Sequence, residues 1–125
     1  MEIQIGATGK AGRAVTEKDT ARIVKSGSLN VLATPVLSAL MEEAAVNALA
    51  DFLPEGKTSV GGYIAVHHNA PTLPGRRIEA TAIITEATGK KITFRITARE
   101  DEKEIGTADH IRFIVDETDF MDKLK

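Results

Sequence analysis

Two adjacent carboxylates, Glu42 and Glu43, stand in a segment that is otherwise almost wholly apolar, TPVLSALMEEAAVNAL from Thr34 to Leu49. Its apolar residues recur in pairs one turn apart, which predicts a helix. A helix that is apolar nearly all round is usually buried by the rest of its domain. Carboxylates on such a helix are costly to desolvate unless they are paired or used. We therefore expect chemistry on this helix.

A polar stripe runs along the same helix through Thr34, Ser38 and Glu42, each one turn from the next. Thr34 is predicted to cap the helix, with Pro35 at the first helical position. A hydroxyl there lies near N–H groups that favour developing negative charge. On an ideal helix Thr34 and Glu42 are roughly 12 Å apart along the axis. A substrate along the stripe, or a second subunit, would be needed to join them.

The neighbouring histidines His67 and His68 fall in a predicted strand and so point to opposite faces. His68 shares parity with the apolar residues Ile64 and Val66, which should cover the helix. A lone histidine on an apolar face is more often a core residue than a catalyst. A carboxylate on the helix beneath that face, such as Glu42, favours the catalytic interpretation.

Two further pairs of residues are weaker candidates for the site. His110 and Arg112 share a face of the last predicted strand. Arg112 could hold a phosphate or a carboxylate, or form an ordinary cross-strand ion pair. Gly61 and Gly62 could mark a bulge or a close approach of the backbone to a ligand.

The elements that must position these residues change from helical to strand-like periodicity along the chain. A strand over 9–16 and a short helix capped by Thr16 and running to about Lys25 precede the long helix, which ends at Pro54 to Lys57. Alternating strands follow, with a hairpin turn at 88–90, a charged turn at 100–103, a last strand over 105–115 and a polar, fraying tail. Strands following one buried helix indicate an α+β fold whose antiparallel sheet wraps around that helix.

Composition narrows the function classes. The chain has 125 residues and suits one domain, 1–125. A net charge of −2 and few aromatic residues give no nucleic-acid footprint. Without cysteine or a HExxH pattern, no metal site is predicted. No apolar run reaches transmembrane length and no secretory signal is seen, so we expect a cytoplasmic protein without a membrane partner.

Four motifs together make the chain recognisable: VLATP at 31–35, LME at 40–42, GGYIAVHHNAPT at 61–72 and HIR at 110–112. With this order and spacing, the chain resembles hotdog-fold thioesterases of the fluoroacetyl-CoA thioesterase type. The resemblance extends from about Gly9 to Phe120.

The resemblance implies an acyl-CoA thioesterase that hydrolyses a small or medium acyl-CoA to the free acid and CoA. The family's catalytic residues fall on Thr34, Glu42 and His68, and its substrate-binding residues on Gly61 and Arg112. It also implies a long helix wrapped by the sheet, a homodimer or a dimer of such dimers with sites at the subunit interface, and no metal or cofactor. Glu42 would activate water or attack the thioester directly to give an anhydride.

Two alternatives stay open. A hotdog acyl-thioester hydratase also pairs an acid with a histidine, although the hydratase signature, an Asp closely followed by a His on one loop, is not evident. A non-catalytic protein that binds acyl-CoA or another small ligand would keep the pocket while dispensing with Glu42 or His68, and both residues are present.

Overall fold

A five-stranded antiparallel sheet wraps around one long helix in the computed structural model, which describes residues 2–125. Met1, the first residue of the predicted domain, lies outside the described residues. The helices are α1 (Ala21–Val24), α2 (Thr34–Leu49) and α3 (Glu117–Asp122). The strands are β1 (Thr8–Ala14), β2 (Lys57–His68), β3 (Arg77–Thr88), β4 (Lys91–Glu100) and β5 (Lys103–Asp116), in the order β1-β3-β4-β5-β2. The predicted α+β architecture is confirmed.

The core lies between α2 and the concave face of the sheet. Alternate residues of β3 and β4 are buried there as their period of two predicted. The helix buries seven residues along most of its length: Leu37, Leu40, Met41, Ala44, Ala45, Ala48 and Leu49. Strand β1 reaches the helix because Gly9 has no side chain, since a Cβ there would overlap the backbone of Ala44 and Ala48. Among residues 2–125, no helix is both long and apolar enough to cross a membrane.

The predicted short helix over 16–25 is wrong as a single element. A 3₁₀ turn at Glu17–Asp19 is separated from α1 by Thr20, which is extended and bridges to Leu32. The carboxylate of Asp19 accepts hydrogen bonds from the backbone N–H of Thr16, at 2.8 Å, and from its hydroxyl, at 3.2 Å. These local bonds also end β1 at Ala14, two residues before the predicted limit.

Thr34 does not cap α2, contrary to the sequence prediction. Ala33 occupies the cap position and Thr34 is already helical. The backbone N–H of Ala33 donates to the carbonyl oxygen of Asp19 at 2.8 Å, and the carbonyl oxygen of Ala33 accepts from the N–H of Leu37 at 3.1 Å. The tertiary bond to Asp19 fixes where the helix begins and leaves the hydroxyl of Thr34 free for another partner.

A bulge in β2 changes which residues of that strand face the helix. The pairing with β5 shifts between Gly61 and Tyr63, so Gly62 has no partner across the ladder. Before the bulge Gly61 lies opposite Arg112, and after it Ile64 lies opposite His110. Odd-numbered residues before the bulge and even-numbered residues after it therefore share the concave face.

Candidate active site

The end of β2 meets the start of α2 through Thr34 and His68. Their side chains are joined by a hydrogen bond of 2.7 Å between the hydroxyl oxygen and Nδ1. The other ring nitrogen, Nε2, is buried and has no hydrogen-bond partner among the described residues. Burial lowers the pKa of His68, and an interaction with the backbone of Ala70 partly offsets this. The imidazole is therefore neutral near pH 7, with Nδ1 bonded to Thr34 and Nε2 buried without a partner among the described residues.

A cavity of about 300 Å³ opens beside this pair. Thr34 and His68 form part of its wall, together with Val31, Asn69 and Pro71 from the flanking segments. The wall is thus mixed, with apolar surface for a small organic group and polar atoms at one side.

Asp19 stabilises the segment next to Thr34. Besides its bonds to Thr16, its carboxylate forms an ion pair of 2.9 Å with Arg13. Burial raises the pKa of Asp19, but the hydrogen bonds from Thr16 and the charge of Arg13 together lower it below the usual value of 3.8. The charged carboxylate thus holds Asp19 against Arg13 and Thr16. The backbone carbonyl of Asp19 accepts from the N–H of Ala33, next to Thr34.

Glu42 belongs to a second cluster, farther along the same helix. Its Oε2 lies 3.5 Å from Nη1 of Arg112, and its side chain is 39% exposed. Arg112 is itself buried. It donates from Nε to the hydroxyl of Ser59 at 2.7 Å and from Nη2 to the carbonyl oxygen of Ser59 at 3.1 Å. The guanidinium is thus anchored to β2 and presents Nη1 to the carboxylate.

His110 lies behind that ion pair and is completely buried. Its Nδ1 is 2.7 Å from the carbonyl oxygen of Tyr63, and its Nε2 is 3.2 Å from Nη1 of Arg112. Burial is the main cause that lowers the pKa of His110; the nearby Arg112 acts in the same direction, while Tyr63 and Glu42 oppose it. Because the ring is neutral near pH 7, its 4.0 Å approach to Glu42 is not an ion pair.

Gly61 lets the backbone of β2 approach the carboxylate closely. A Cβ at Gly61 would lie 2.8 Å from Oε2 of Glu42 and 3.4 Å from Nη1 of Arg112. The predicted bulge is present, and the group that the backbone approaches closely here is the carboxylate of Glu42.

The structure brings the predicted residues together in two groups, Thr34 with His68 and Glu42 with Gly61 and Arg112. Within residues 2–125, no hydrogen bond or ion pair joins the two groups. Thr34 and Glu42 are two turns apart on α2, roughly 12 Å along its axis.

Sequence analysis identified His110 only as a weaker candidate without a role, and it did not identify Ser59. The two-residue spacing of His110 and Arg112 was a usable signal for the histidine. No comparable signal identified Ser59, whose contact with Arg112 depends on the strand register. In the part of the chain that the structure describes, no group of three or more His, Asp or Glu residues could hold a metal ion.

Comparisons with known proteins show the family and the fold of this chain. The profile of the family described as FlK, Fluoroacetyl-CoA-specific thioesterase, matches residues 15–118. A fluoroacetyl-CoA thioesterase from Streptantibioticus cattleyicolor is 35% identical over 95 residues, which are 76% of this chain and 68% of that protein. The solved structure of the fluoroacetyl-CoA thioesterase FlK is 28% identical with a TM-score of 0.91, covering 99% of this chain and 96% of the other. A variant of FlK in complex with fluoroacetate and CoA is 30% identical with a TM-score of 0.84, covering 94% and 98%.

Proposed function

The chain belongs to the family of fluoroacetyl-CoA-specific thioesterases, and from this premise we propose that it hydrolyses a small or medium acyl-CoA to the free acid and CoA. The predicted hotdog fold and the predicted resemblance to this family are confirmed. The cavity of about 300 Å³ beside Thr34 and His68 can hold a small or medium acyl group, which supports the proposal.

The observation that carries the proposal is the environment of Glu42. Its carboxylate is partly exposed, is balanced by Arg112, and lies against the bare backbone of Gly61. A carboxylate held in this way suits a base that must meet a substrate.

In the proposed reaction Glu42 takes a proton from water, with His68 assisting, and the water oxygen bonds to the thioester carbonyl carbon. The N–H of Gly61 and the hydroxyl of Thr34 stabilise the oxyanion that develops. The C–S bond then breaks, and the CoA thiolate receives the proton that the base had taken. Direct attack by Glu42, which gives an anhydride that water then hydrolyses, uses the same residues.

Arg112 has little donor capacity left for substrate. A guanidinium has five N–H groups. Ser59, His110 and Glu42 occupy four of them, two on Nη1 and one each on Nε and Nη2. At most one N–H can reach a substrate oxygen, so in this proposal Arg112 borders the thioester and chiefly holds Glu42.

We propose that two subunits complete the site, with Glu42 of one subunit facing Thr34 and His68 of the other. Strand β2 supports this arrangement because it is a twelve-residue edge strand paired only with β5, and such edges favour pairing with a second chain. Two exposed apolar residues, Val46 on α2 and Tyr63 on β2, offer further surface for a homodimer.

Subunit complementation tests the shared site. Thr34→Ala and Glu42→Gln are each expected to be poorly active alone. In a random mixture of the two, half of the dimers are hybrids, and each hybrid has one unaltered site and one doubly altered site. Activity should therefore recover to roughly a quarter of the wild-type value. A mixture that stays at the level of its parents would contradict the shared site.

The remaining features of the proposal are a single domain over 1–125 and a cytoplasmic location without nucleic-acid partners. The direct test of the activity is thiol release from a panel of short, branched, aromatic and long acyl-CoAs. Turnover of the short and medium members supports the proposal. Tight binding of acyl-CoA without thiol release would instead indicate a binding protein.

A further inference from the structure

We propose that His110 is a positioning residue: its neutral ring accepts a hydrogen bond from Nη1 of Arg112 at Nε2 and so directs that guanidinium at the carboxylate of Glu42. The inference rests on the proposed role of Glu42 in thioester hydrolysis. It adds a buried residue, His110, which touches no substrate but orients, through Arg112, the carboxylate of Glu42 that does.

The partners of His110 determine which ring nitrogen carries the proton. The carbonyl oxygen of Tyr63, 2.7 Å from Nδ1, can only accept, so Nδ1 must be the donor. The guanidinium of Arg112, 3.2 Å from Nε2, can only donate, so Nε2 must carry a lone pair. The neutral Nδ1–H tautomer alone satisfies both contacts.

The neighbours of the His110 ring explain why its neutral Nδ1–H tautomer matters. Two charged groups face His110: Glu42 from α2, at 4.0 Å, and Arg112 from its own strand β5. Strand β4 offers the neutral ring of Phe94, at a centroid distance of 5.7 Å, and β2 offers the carbonyl of Tyr63. A proton on Nε2 would repel Arg112 and place a second cation beside Glu42. The neutral ring instead leaves the carboxylate with one cation, held in one orientation.

Loss of this orientation should lower kcat more than it raises KM, because small displacements of a reacting group are costly and His110 itself touches no substrate. A matched pair of variants separates the two ring nitrogens. His110→Gln places an amide oxygen near the position of Nε2 and can still accept from Arg112. His110→Asn places its amide near Nδ1, so it can donate to Tyr63 but offers Arg112 no acceptor.

We expect His110→Asn to lower kcat by roughly 10-fold or more with little change in KM, and His110→Gln to recover most of that loss. Combined with Arg112→Lys, His110→Asn should add little further loss, since one residue acts through the other. Equal losses in both variants, a loss in KM alone, or additive losses with Arg112→Lys would overturn the proposal.

A measurement on the wild-type protein decides the geometry even if the variants fold poorly. ¹⁵N NMR of the ring nitrogens should show a protonated Nδ1 and an unprotonated, hydrogen-bonded Nε2 at the pH of activity. An Nε2–H tautomer or an imidazolium would overturn the proposal. Because this result does not depend on turnover, it stays informative if no acyl-CoA is hydrolysed, an outcome that would count against the proposed function and not against the geometry.

Discussion

The hydroxyl oxygen of Thr34 lies 2.7 Å from Nδ1 of His68, so the first residue of α2 is tied to the last residue of β2. The bond fixes the plane of the imidazole and directs Nε2 away from Thr34. Nε2 is buried and has no partner among residues 2–125, so it is the ring nitrogen whose hydrogen-bonding capacity is unused.

His68→Ala should remove most thioesterase turnover and flatten one limb of the pH–rate profile, because it deletes the group that assists proton transfer. His67→Ala is the matched control, since its side chain is exposed on the opposite face of β2. It should leave turnover and profile largely intact. Steady-state kinetics across pH checks both variants, and a greater sensitivity at His67 would move the site to the other face.

Gly61→Ala should lower kcat, because the added Cβ would lie 2.8 Å from Oε2 of Glu42 and displace it from Arg112. Gly62→Ala is the control in the same bulge, because the added Cβ would lie 2.5 Å from the exposed ring of Phe113, and its three nearest atoms all belong to that ring rather than to Glu42. We expect a loss of roughly 10-fold or more for the first variant and a small change for the second. Similar kinetics for the two variants would contradict the close approach of Glu42.

The free energy of unfolding should decrease in two separate pH ranges as the pH is lowered. Burial lowers the pKa of His68 and of His110 below 6.5 in the folded protein. As the pH falls below about 6.5, the unfolded chain therefore binds protons that the folded one does not, and the free energy of unfolding decreases. Despite the opposing effect of burial, the pKa of Asp19 is lowered below 3.8, so its contribution is intact above that pH and is lost as the pH falls through its folded value.

Denaturant unfolding at fixed protein concentration, from about pH 8 down to about pH 3, measures both ranges. His68→Gln should reduce the slope in the upper range, leaving the share of His110, and Asp19→Asn should flatten the lower range. A free energy of unfolding that stays constant between about pH 7 and pH 5 would contradict neutral, buried histidines.

The elements that follow from local periodicity could be predicted from sequence. Alternation in β3 and β4 identified their buried faces, and paired apolar residues identified α2. The start of α2 could not be predicted locally. It depends on the bond from Ala33 to the carbonyl of Asp19, fourteen positions earlier, and this contact overrides the capping preference of Thr34.

The sequence predicted those parts of the candidate site that depend only on the alternation of residues within one uninterrupted stretch of strand. His68 faces the helix, as its alternation with Ile64 and Val66 predicted, because all three residues follow the bulge. Ser59 precedes it, and the shift between Gly61 and Tyr63 reverses which parity faces inward. Gly61 and Gly62 indicated a possible bulge but not the register of the strands around it, so the anchoring of Arg112 by Ser59 was not foreseen.

The most direct test of the central claim, that Glu42 is the carboxylate that drives thioester hydrolysis, compares Glu42→Gln with Glu43→Gln. Glu43 is its exposed neighbour on the same helix, so the two substitutions are chemically identical one position apart. With the best substrate from the thiol-release panel, kcat should fall by roughly 10²-fold or more in Glu42→Gln and change little in Glu43→Gln, while sedimentation shows the wild-type oligomer for both. Equal, small effects in the two variants would contradict the account.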